Sequence, residues 1–190
     1  YPEANEYFEK AQLFLVSRID LARARQMLER ALAVDPRCAA ARAEYGFTDF
    51  LMIDTGISND AGWLYRAEAE LRRAIRDDPE TGRAHSALAA VYLYQGRKQL
   101  VPIEVKEALR LNPDDLDAQN WLLNVHMLNG DLDSARTLAT DVLQRDPVYF
   151  PVRMNLGDVL RMGGDWAASA RELEKVLEQE KEIRALRARY

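Results

Sequence analysis

The chain has 190 residues, a formal net charge of −5 and 48% hydrophobic residues, with only nine glycines and seven prolines. Alanine and aliphatic residues are abundant and strand-like alternation is nearly absent, so the composition favours an all-helical fold. The charge is spread evenly, with 12 basic and 15 acidic side chains in residues 1–95 and 14 and 16 in residues 96–190. Because no face or tail is basic, the sequence speaks against nucleic-acid binding.

The single cysteine, Cys38, cannot form an internal disulfide, which suits a reducing compartment. No apolar run is long enough to cross a bilayer, so we expect no membrane contact by this chain and a cytoplasmic location. The chain opens at Tyr1 without a methionine, and we expect it to be a segment of a longer protein. A periplasmic location stays open if a membrane segment precedes it.

Asx-Pro pairs divide the chain at a regular spacing. Asp78-Pro79, Asn112-Pro113 and Asp146-Pro147 stand 34 residues apart, and Asp35-Pro36 lies 43 residues before Pro79, an excess of nine. A fixed period of this length predicts stacked helical hairpins. We therefore predict an all-α fold: a right-handed superhelix of about ten antiparallel helices in five hairpins, followed by a charged C-terminal helix. The chain is predicted to be one repeat domain, with repeats at approximately 5–38, 39–81, 82–115, 116–149 and 150–183.

The first two repeats are predicted from their apolar spacing. Helices are expected over about 4–16 and 20–34, with the turn between them at Ser17–Ile19. In the second repeat, the nine extra residues fall within 53–62, after a first helix that extends beyond its usual length. Turn-forming residues fill this insertion, which we interpret as surface slack. A role in partner recognition is the alternative.

Turn and cap residues divide the last three repeats. Gly96 is predicted to end a helix in the left-handed conformation. Pro102 delays the start of the next helix to about Val101, because proline is tolerated only in a first turn. Two further turns are expected at Asn129–Asp131, with Asp131 as N-cap, and at Gly163–Asp165. In the last helix Trp166, Leu173 and Val176 are expected to face inward, and Glu178–Tyr190 to continue it.

These features resemble the tetratricopeptide-repeat family over nearly the whole chain. The family pattern of a bulky and a small residue on the first helix is matched by Tyr45-Gly46, Leu88-Ala89 and Leu156-Gly157. Its aromatic position is matched by Tyr92 and its first small position on the second helix by Ala24, Ala67 and Ala135. His85 and Gln119 stand where the family has tryptophan. The opening segment and DDPETGRAHSALAAVYLY are also similar to repeat regions attached to bacterial kinases, adenylate cyclases and winged-helix regulators, which implies a regulatory or scaffolding segment.

The search for catalytic chemistry gives no candidate. His85 and His126 occupy inward-facing positions, where packing is the expected role, and neither has a second His or Cys at metal-ligand spacing. Gly163-Gly164 belongs to a hairpin turn rather than to a phosphate loop, and no acid/base pair stands out among the carboxylates. We therefore predict no catalytic residue, no metal, no cofactor and no enzyme activity.

The resemblance implies a concave groove, lined by first helices, that binds an extended peptide or a helix of a protein partner. The family's clamp for C-terminal carboxylates is not expected, because Glu9, Leu13 and Ala43 stand at its positions. The amides of Asn120 and Asn124 either pair with a ligand backbone or bond to neighbouring helices. The predicted groove residues are Phe47, Phe50, Arg83, Ser86, Tyr94, Asn120, Asn124, Met127, Met154, Asp158 and Arg161.

Two other functions stay open. One is homo-oligomerisation through exposed terminal hairpins, for which the N-terminal hairpin with Tyr7, Phe8 and Phe14 is the stronger candidate. The charged run 178–189 is expected to cover the C-terminal hairpin. The other is a structural spacer within a multidomain signalling enzyme.

Overall fold

The computed structural model describes residues 1–17 and 20–187, and in these ranges it contains ten α-helices and no strand. The predicted all-helical fold of five hairpins is therefore confirmed. Arg18 and Ile19, in the first predicted turn, lie outside the described residues. The helices are α1 (Pro2–Ser17), α2 (Leu21–Val34), α3 (Ala39–Asp54), α4 (Gly62–Asp77), α5 (Gly82–Tyr94), α6 (Val101–Leu111), α7 (Leu116–Leu128), α8 (Leu132–Arg145), α9 (Phe150–Met162) and α10 (Trp166–Arg187).

The chain forms two compact units, Tyr1–Ala118 and Gln119–Tyr190. In the first unit each helix from α1 to α5 packs against the next one, and the first helices α3 and α5 also pack together. In the second unit α8 packs on α9 and α9 on α10. Packing between sequence neighbours is what a hairpin repeat array requires. The expectation of a single domain over residues 1–190 remains a prediction.

The Asx-Pro pairs end the second helices. The Asx residue leaves the helical conformation, as at Asp78 with φ −147° and ψ 102°, because a residue before proline avoids the α region. Its N–H still donates to the carbonyl of Ala74, and its side chain accepts a hydrogen bond of 3.0 Å from the N–H of Glu80. The same Asx turn follows Asp35, Asn112 and Asp146. Each pair therefore stops one hairpin and starts the next.

Glycine allows the two helices of a hairpin to approach closely. A Cβ on Gly46 of α3 would lie 2.8 Å from Cγ of Leu71 on α4, and a Cβ on Gly157 of α9 would lie 2.9 Å from Leu173 on α10. Alanines line the facing positions of α4, where Ala67 is fully buried. Small residues at these positions therefore let the large side chains of the second helices fill the hairpin.

The turns predicted in the last three repeats are confirmed. Gly96, Gly130 and Gly164 have φ values of 74°, 75° and 84°, the left-handed region that glycine adopts without strain. Asp131 caps α8 by accepting a hydrogen bond of 3.1 Å from the N–H of Ser134. Helix α6 begins at Val101 with proline in its first turn, as expected, after a short 3₁₀ turn at Lys98–Leu100.

The insertion in the second hairpin begins with an extension of α3 to Asp54, as predicted. Gly56 then reverses the chain with φ 70°, and the N–H of Ser58 donates to the carbonyl of Met52 at 2.8 Å. The hydroxyl of Tyr94 on α5 donates to Asp54 at 2.5 Å. The added turn of α3 is thus attached to the neighbouring hairpin, whereas Ile57 in the loop is exposed.

The inward orientation expected for α10 holds for Val176, which is buried, and is wrong for Trp166, which is 66% exposed. Leu173 is exposed, at 38%, although its side chain lies beside Gly157 of α9. The equivalent residues of α4, Leu64 and Leu71, are 8% and 0% exposed. Helix α4 is covered by α5 of the next hairpin, whereas no described helix follows α10. The helix does continue to Arg187 as predicted.

Candidate peptide-binding face

Side-chain contacts with a glutamate connect three of the first helices to their own second helices. Six residues after the proline of an Asx-Pro pair stand Arg42, His85, Gln119 and Arg153. Arg42 donates to Glu70 at 2.7 Å, and Arg153 donates to Glu172 at 2.7 Å. Nδ1 of His85 lies 2.7 Å from Glu104. These three pairs, which we call hairpin clasps, set the position of any side chain that the first helices display.

The fourth hairpin has a different connection. Leu138 stands where the second, third and fifth hairpins carry the clasp glutamate, and Gln119 instead accepts a hydrogen bond from Arg145 near the end of α8. The exchange of both clasp residues leaves the aliphatic side chain of Leu138, partly buried, at the clasp position of α8. The surface of the fourth hairpin therefore differs from that of the hairpins that have a clasp.

In the first unit, the two predicted groove phenylalanines are buried. Phe47 and Phe50 are 6% and 1% exposed, and their rings stack with centroids 5.9 Å apart. The guanidinium of Arg83 lies 3.9 Å from the ring centroid of Phe47, and the ring of Tyr94 meets Phe50 edge-on at 5.0 Å. The surface of the first helices in this unit is therefore formed by Arg83 and Tyr94 rather than by the phenylalanines.

Two carboxylates hold Arg83 over the aromatic ring. Its Nε donates to Glu44 of α3 at 3.0 Å and its Nη1 donates to Asp117 of α7 at 2.5 Å. Burial alone would lower the pKa of Arg83, but the charges of Glu44 and Asp117 outweigh it and raise the pKa. Arg83 therefore remains a cation that closes this surface. Ser86, another predicted groove residue, is fully buried.

In the second unit, asparagine side chains bond within α7 and between α7 and α9. Nδ2 of Asn155 on α9 donates to Oδ1 of Asn120 on α7 at 2.7 Å, and Asn120 is only 4% exposed. Nδ2 of Asn124 donates to the backbone carbonyl of Asn120 at 2.9 Å. The bond from Asn155 places α9 beside α7, whereas the bond from Asn124 stays within α7.

The remaining predicted residues of this unit lie on one side of α7 and α9. Met154 is 46% exposed, Met127 is partly buried, and Arg161 Nη2 lies 3.0 Å from Asp158 Oδ1. Leu128 and Met162, 43% and 48% exposed, extend the same side and were missed by the sequence analysis. They occupy the positions equivalent to Tyr94 in the next two repeats, so the repeat period could have predicted them from Tyr94. We call this set the α7–α9 face: Asn124, Met127, Leu128, Met154, Asp158, Arg161 and Met162.

Both histidines bond to carboxylates. Besides the His85–Glu104 contact, Nδ1 of His126 lies 3.1 Å from Asp131, the N-cap of α8. The part of the chain that the structure describes contains no group of three or more His, Cys, Asp or Glu residues that could hold a metal ion. None of the described helices is both long and apolar enough to cross a membrane.

Comparison with known proteins identifies the repeat. A family model described as tetratricopeptide repeat matches residues 127–190. A thermophilic tetratricopeptide-repeat protein of Thermus thermophilus is similar over 98% of this chain and 96% of its own, with 21% identity and a TM-score of 0.73. YrrB, described as having an unusual peptide-binding site, is similar over 96% of this chain and 90% of its own, with 22% identity and a TM-score of 0.53. No curated protein sequence matches the chain.

A third similar structure is the Cut9–Hcn1 hetero-tetramer of the APC/C, with 17% identity and a TM-score of 0.75 over 95% of this chain and 34% of that one. Helical hairpins, a 34-residue Asx-Pro period and these likenesses define one class of protein. The family model places a tetratricopeptide repeat in residues 127–190, and the chain has the tetratricopeptide-repeat fold.

Proposed function

We propose that this chain is a non-catalytic protein-interaction scaffold that binds a peptide segment or helix of a protein partner on the α7–α9 face. One observation carries the proposal: three exposed apolar side chains, Leu128, Met154 and Met162, lie on the same side of two adjacent first helices. Methionine adapts its shape to varied apolar ligands and is frequent at surfaces that bind several peptides. The peptide-binding site named for the similar protein YrrB supports the same class of function.

Polar groups beside the apolar residues would orient the ligand. The Asp158–Arg161 pair is about half exposed on both sides, so either charge can exchange its partner for a ligand group at little cost. Asn124 keeps its amide oxygen for a ligand N–H, because its Nδ2 already donates to Asn120. An amphipathic segment with apolar residues at helical or alternate spacing fits this combination.

The remaining predicted groove residues contribute less in this proposal. Phe47, Phe50 and Ser86 are buried, and Arg83 and Tyr94 are bound to carboxylates of α3. A ligand on the first unit would therefore have to break existing contacts before it reached the phenylalanine rings. The second unit needs no such rearrangement.

Selection from a displayed peptide library against the whole chain tests the proposal. Selected peptides are expected to lose at least about tenfold in affinity when Met154→Lys and Met162→Lys are combined, since a charge replaces two apolar contacts. Val148→Lys is the matched control, because Val148 is 65% exposed in the same unit but off the face. Equal binding by the double variant and the control would contradict the proposal.

Self-association is a second candidate, favoured by α10. Trp166 and Leu177 are 66% and 56% exposed on the outer side of the last described hairpin. A second copy covering this side would bury both residues. Light scattering over a range of concentrations should then show a dimer that Leu177→Lys abolishes, and a strict monomer throughout would remove this candidate. The spacer role within a larger signalling protein is the outcome if neither binding mode is found.

A further inference from the structure

An open cavity of about 450 Å³ lies between the two helices of the fourth hairpin. Leu122 of α7 and Leu138 of α8 supply its apolar wall, and Asp133 and Asp141 supply carboxylates from α8. We call this cavity the fourth wedge, and its lining residues are Leu122, His126, Asp133, Ser134, Thr137, Leu138 and Asp141. None of them belongs to the α7–α9 face.

The second hairpin shows which residues occupy the equivalent positions in another repeat. Thirteen residues after the Asx-Pro proline, where the fourth hairpin has His126, the second has Asp49. Arg25 of α2 enters there and donates from Nε to Asp49 at 2.8 Å. Its guanidinium lies 4.6 Å from the ring centroid of Tyr45, the residue equivalent to Leu122, and 5.4 Å from that of Trp63.

In the third hairpin, arginines pack against an aromatic ring at the same register. Its residue at the register of His126 is Tyr92, which is buried. The guanidinium groups of Arg97 and Arg72 lie 4.5 Å and 5.8 Å from the Tyr92 ring centroid. In two of the hairpins, therefore, an arginine packs its flat cation against the side chains that form the wedge.

Two substitutions open the fourth wedge. His126 is smaller than the tyrosine of the third hairpin, and its ring is bonded to Asp131 at 3.1 Å. Leu138 replaces the clasp glutamate and exposes an aliphatic wall instead of a charged group. The carboxylates have moved to Asp133 and Asp141, which lie on one side of α8.

We propose that the fourth wedge binds an arginine side chain of a protein partner. The methylene stem packs on Leu122 and Leu138, and the guanidinium pairs with Asp133 at the rim. Asp141 already pairs with Arg145 at 3.0 Å, so Asp133 is the principal acceptor. Arginine fits better than lysine because its planar cation can stack on the imidazole of His126 while it bonds to a carboxylate.

Titration of the ¹⁵N-labelled chain with acetyl-arginine methylamide, followed by NMR, tests this proposal. The amide signals of Leu122, Thr137 and Leu138 should shift saturably. Acetyl-citrulline methylamide, which has the same shape without the charge, should bind at least about fivefold more weakly, since it cannot form the ion pair. These three amides line the fourth wedge and none of them belongs to the α7–α9 face, so their shifts are read separately from any binding at that face.

Three variants complete the test. Asp133→Asn should weaken the arginine probe at least about fivefold, whereas Glu174→Gln, an exposed charge on α10, should leave it unchanged. His126→Tyr restores the larger ring of the third hairpin and should block binding while circular dichroism shows an intact fold. Unsaturated shifts, equal binding of the citrulline probe, or full binding by Asp133→Asn would each overturn the proposal.

Discussion

Nη1 of Arg153 donates to Oε2 of Glu172 at 2.7 Å, and this bond joins α9 to α10 at the register where Arg42 joins α3 to α4. Both side chains are mostly buried, with exposures of 12% and 18%. The guanidinium of Arg153 also donates to the carbonyl of Pro147, just as Arg42 donates to that of Pro36. One side chain thus connects the start of a hairpin to both of its helices.

Loss of a hairpin clasp should destabilise the fold. Arg153→Met leaves the carboxylate of Glu172 and the carbonyl of Pro147 with fewer donors, and we expect unfolding to become easier by about 2 kcal/mol. Lys10→Met, which removes an exposed pair with Glu6, should leave the unfolding free energy nearly unchanged. Urea unfolding followed by circular dichroism measures both changes, and similar costs would refute the role given to the clasp.

The two helix-packing glycines should differ in their tolerance of alanine. Gly46→Ala meets fully buried Leu71 and the carbonyl of Ala67, so we expect a loss of about 1–3 kcal/mol. Gly157→Ala meets only Leu173, which is 38% exposed and can turn away, and alanine gains about 1 kcal/mol in helix propensity. Thermal unfolding should place Gly157→Ala near wild type, and an equal loss in both variants would contradict this reading.

Asp49 should make stability depend on pH. Its side chain is 1% exposed, and Oδ1 accepts the bond from Arg25 while Oδ2 is buried without a hydrogen-bond partner among the described residues. Burial raises its pKa above the ordinary value of 3.8, and nearby Glu70 adds to the shift, whereas Arg25 and Arg66 oppose it. A raised folded pKa means that the folded state gains stability as pH falls through that value.

Asp49→Asn removes this titration. Relative to the variant, the wild type should therefore gain unfolding free energy as the pH falls from about 7 to about 4. Urea unfolding of both proteins at the two pH values gives the difference. Glu174→Gln, an exposed substitution, should follow the wild type. A gain for the variant on acidification would show that the sign of the pKa shift is wrong.

The insertion should separate into a structural and a dispensable part. Replacing residues 56–60 by a shorter linker leaves Asp54 in place and should change the unfolding free energy by less than about 0.5 kcal/mol. Removing residues 53–62 also removes the acceptor of the Tyr94 hydroxyl, and we expect a loss of about 1 kcal/mol or more. Equal stability of the two deletion variants would show that the whole insertion is a tolerated surface loop with no structural role.

Local chemistry made the hairpins predictable. Asx-Pro pairs and left-handed glycines act within a few residues, so the helix ends at Asp78 and Gly96 follow from the sequence alone. Exposure was harder to predict, because the repeat register says which way Phe47 points but not that Arg83 lies over it. The exposure of Trp166 could not be predicted for a similar reason. The repeat period identifies the residues equivalent to Trp166 in other hairpins, but it does not say whether another hairpin covers Trp166.

The clasps and the fourth wedge escaped the sequence analysis for a related reason. Arg42 and Glu70 are 28 residues apart, and neither stands out among the many charged residues. Their partnership becomes visible only when α3 and α4 are side by side. Only a comparison of the hairpins then shows that Gln119 and Leu138 replace both clasp residues in the fourth hairpin.

The central claim, that a partner segment binds on the α7–α9 face, is tested most directly by methionine methyl NMR. The five methionines divide conveniently: Met127, Met154 and Met162 lie on the face, whereas Met27 and Met52 belong to the first unit. With ¹³C-methyl methionine in the whole chain, a selected peptide should shift the three face signals saturably and leave the other two unchanged. Shifts confined to Met27 and Met52, or saturable binding that moves none of the five signals, would contradict the account.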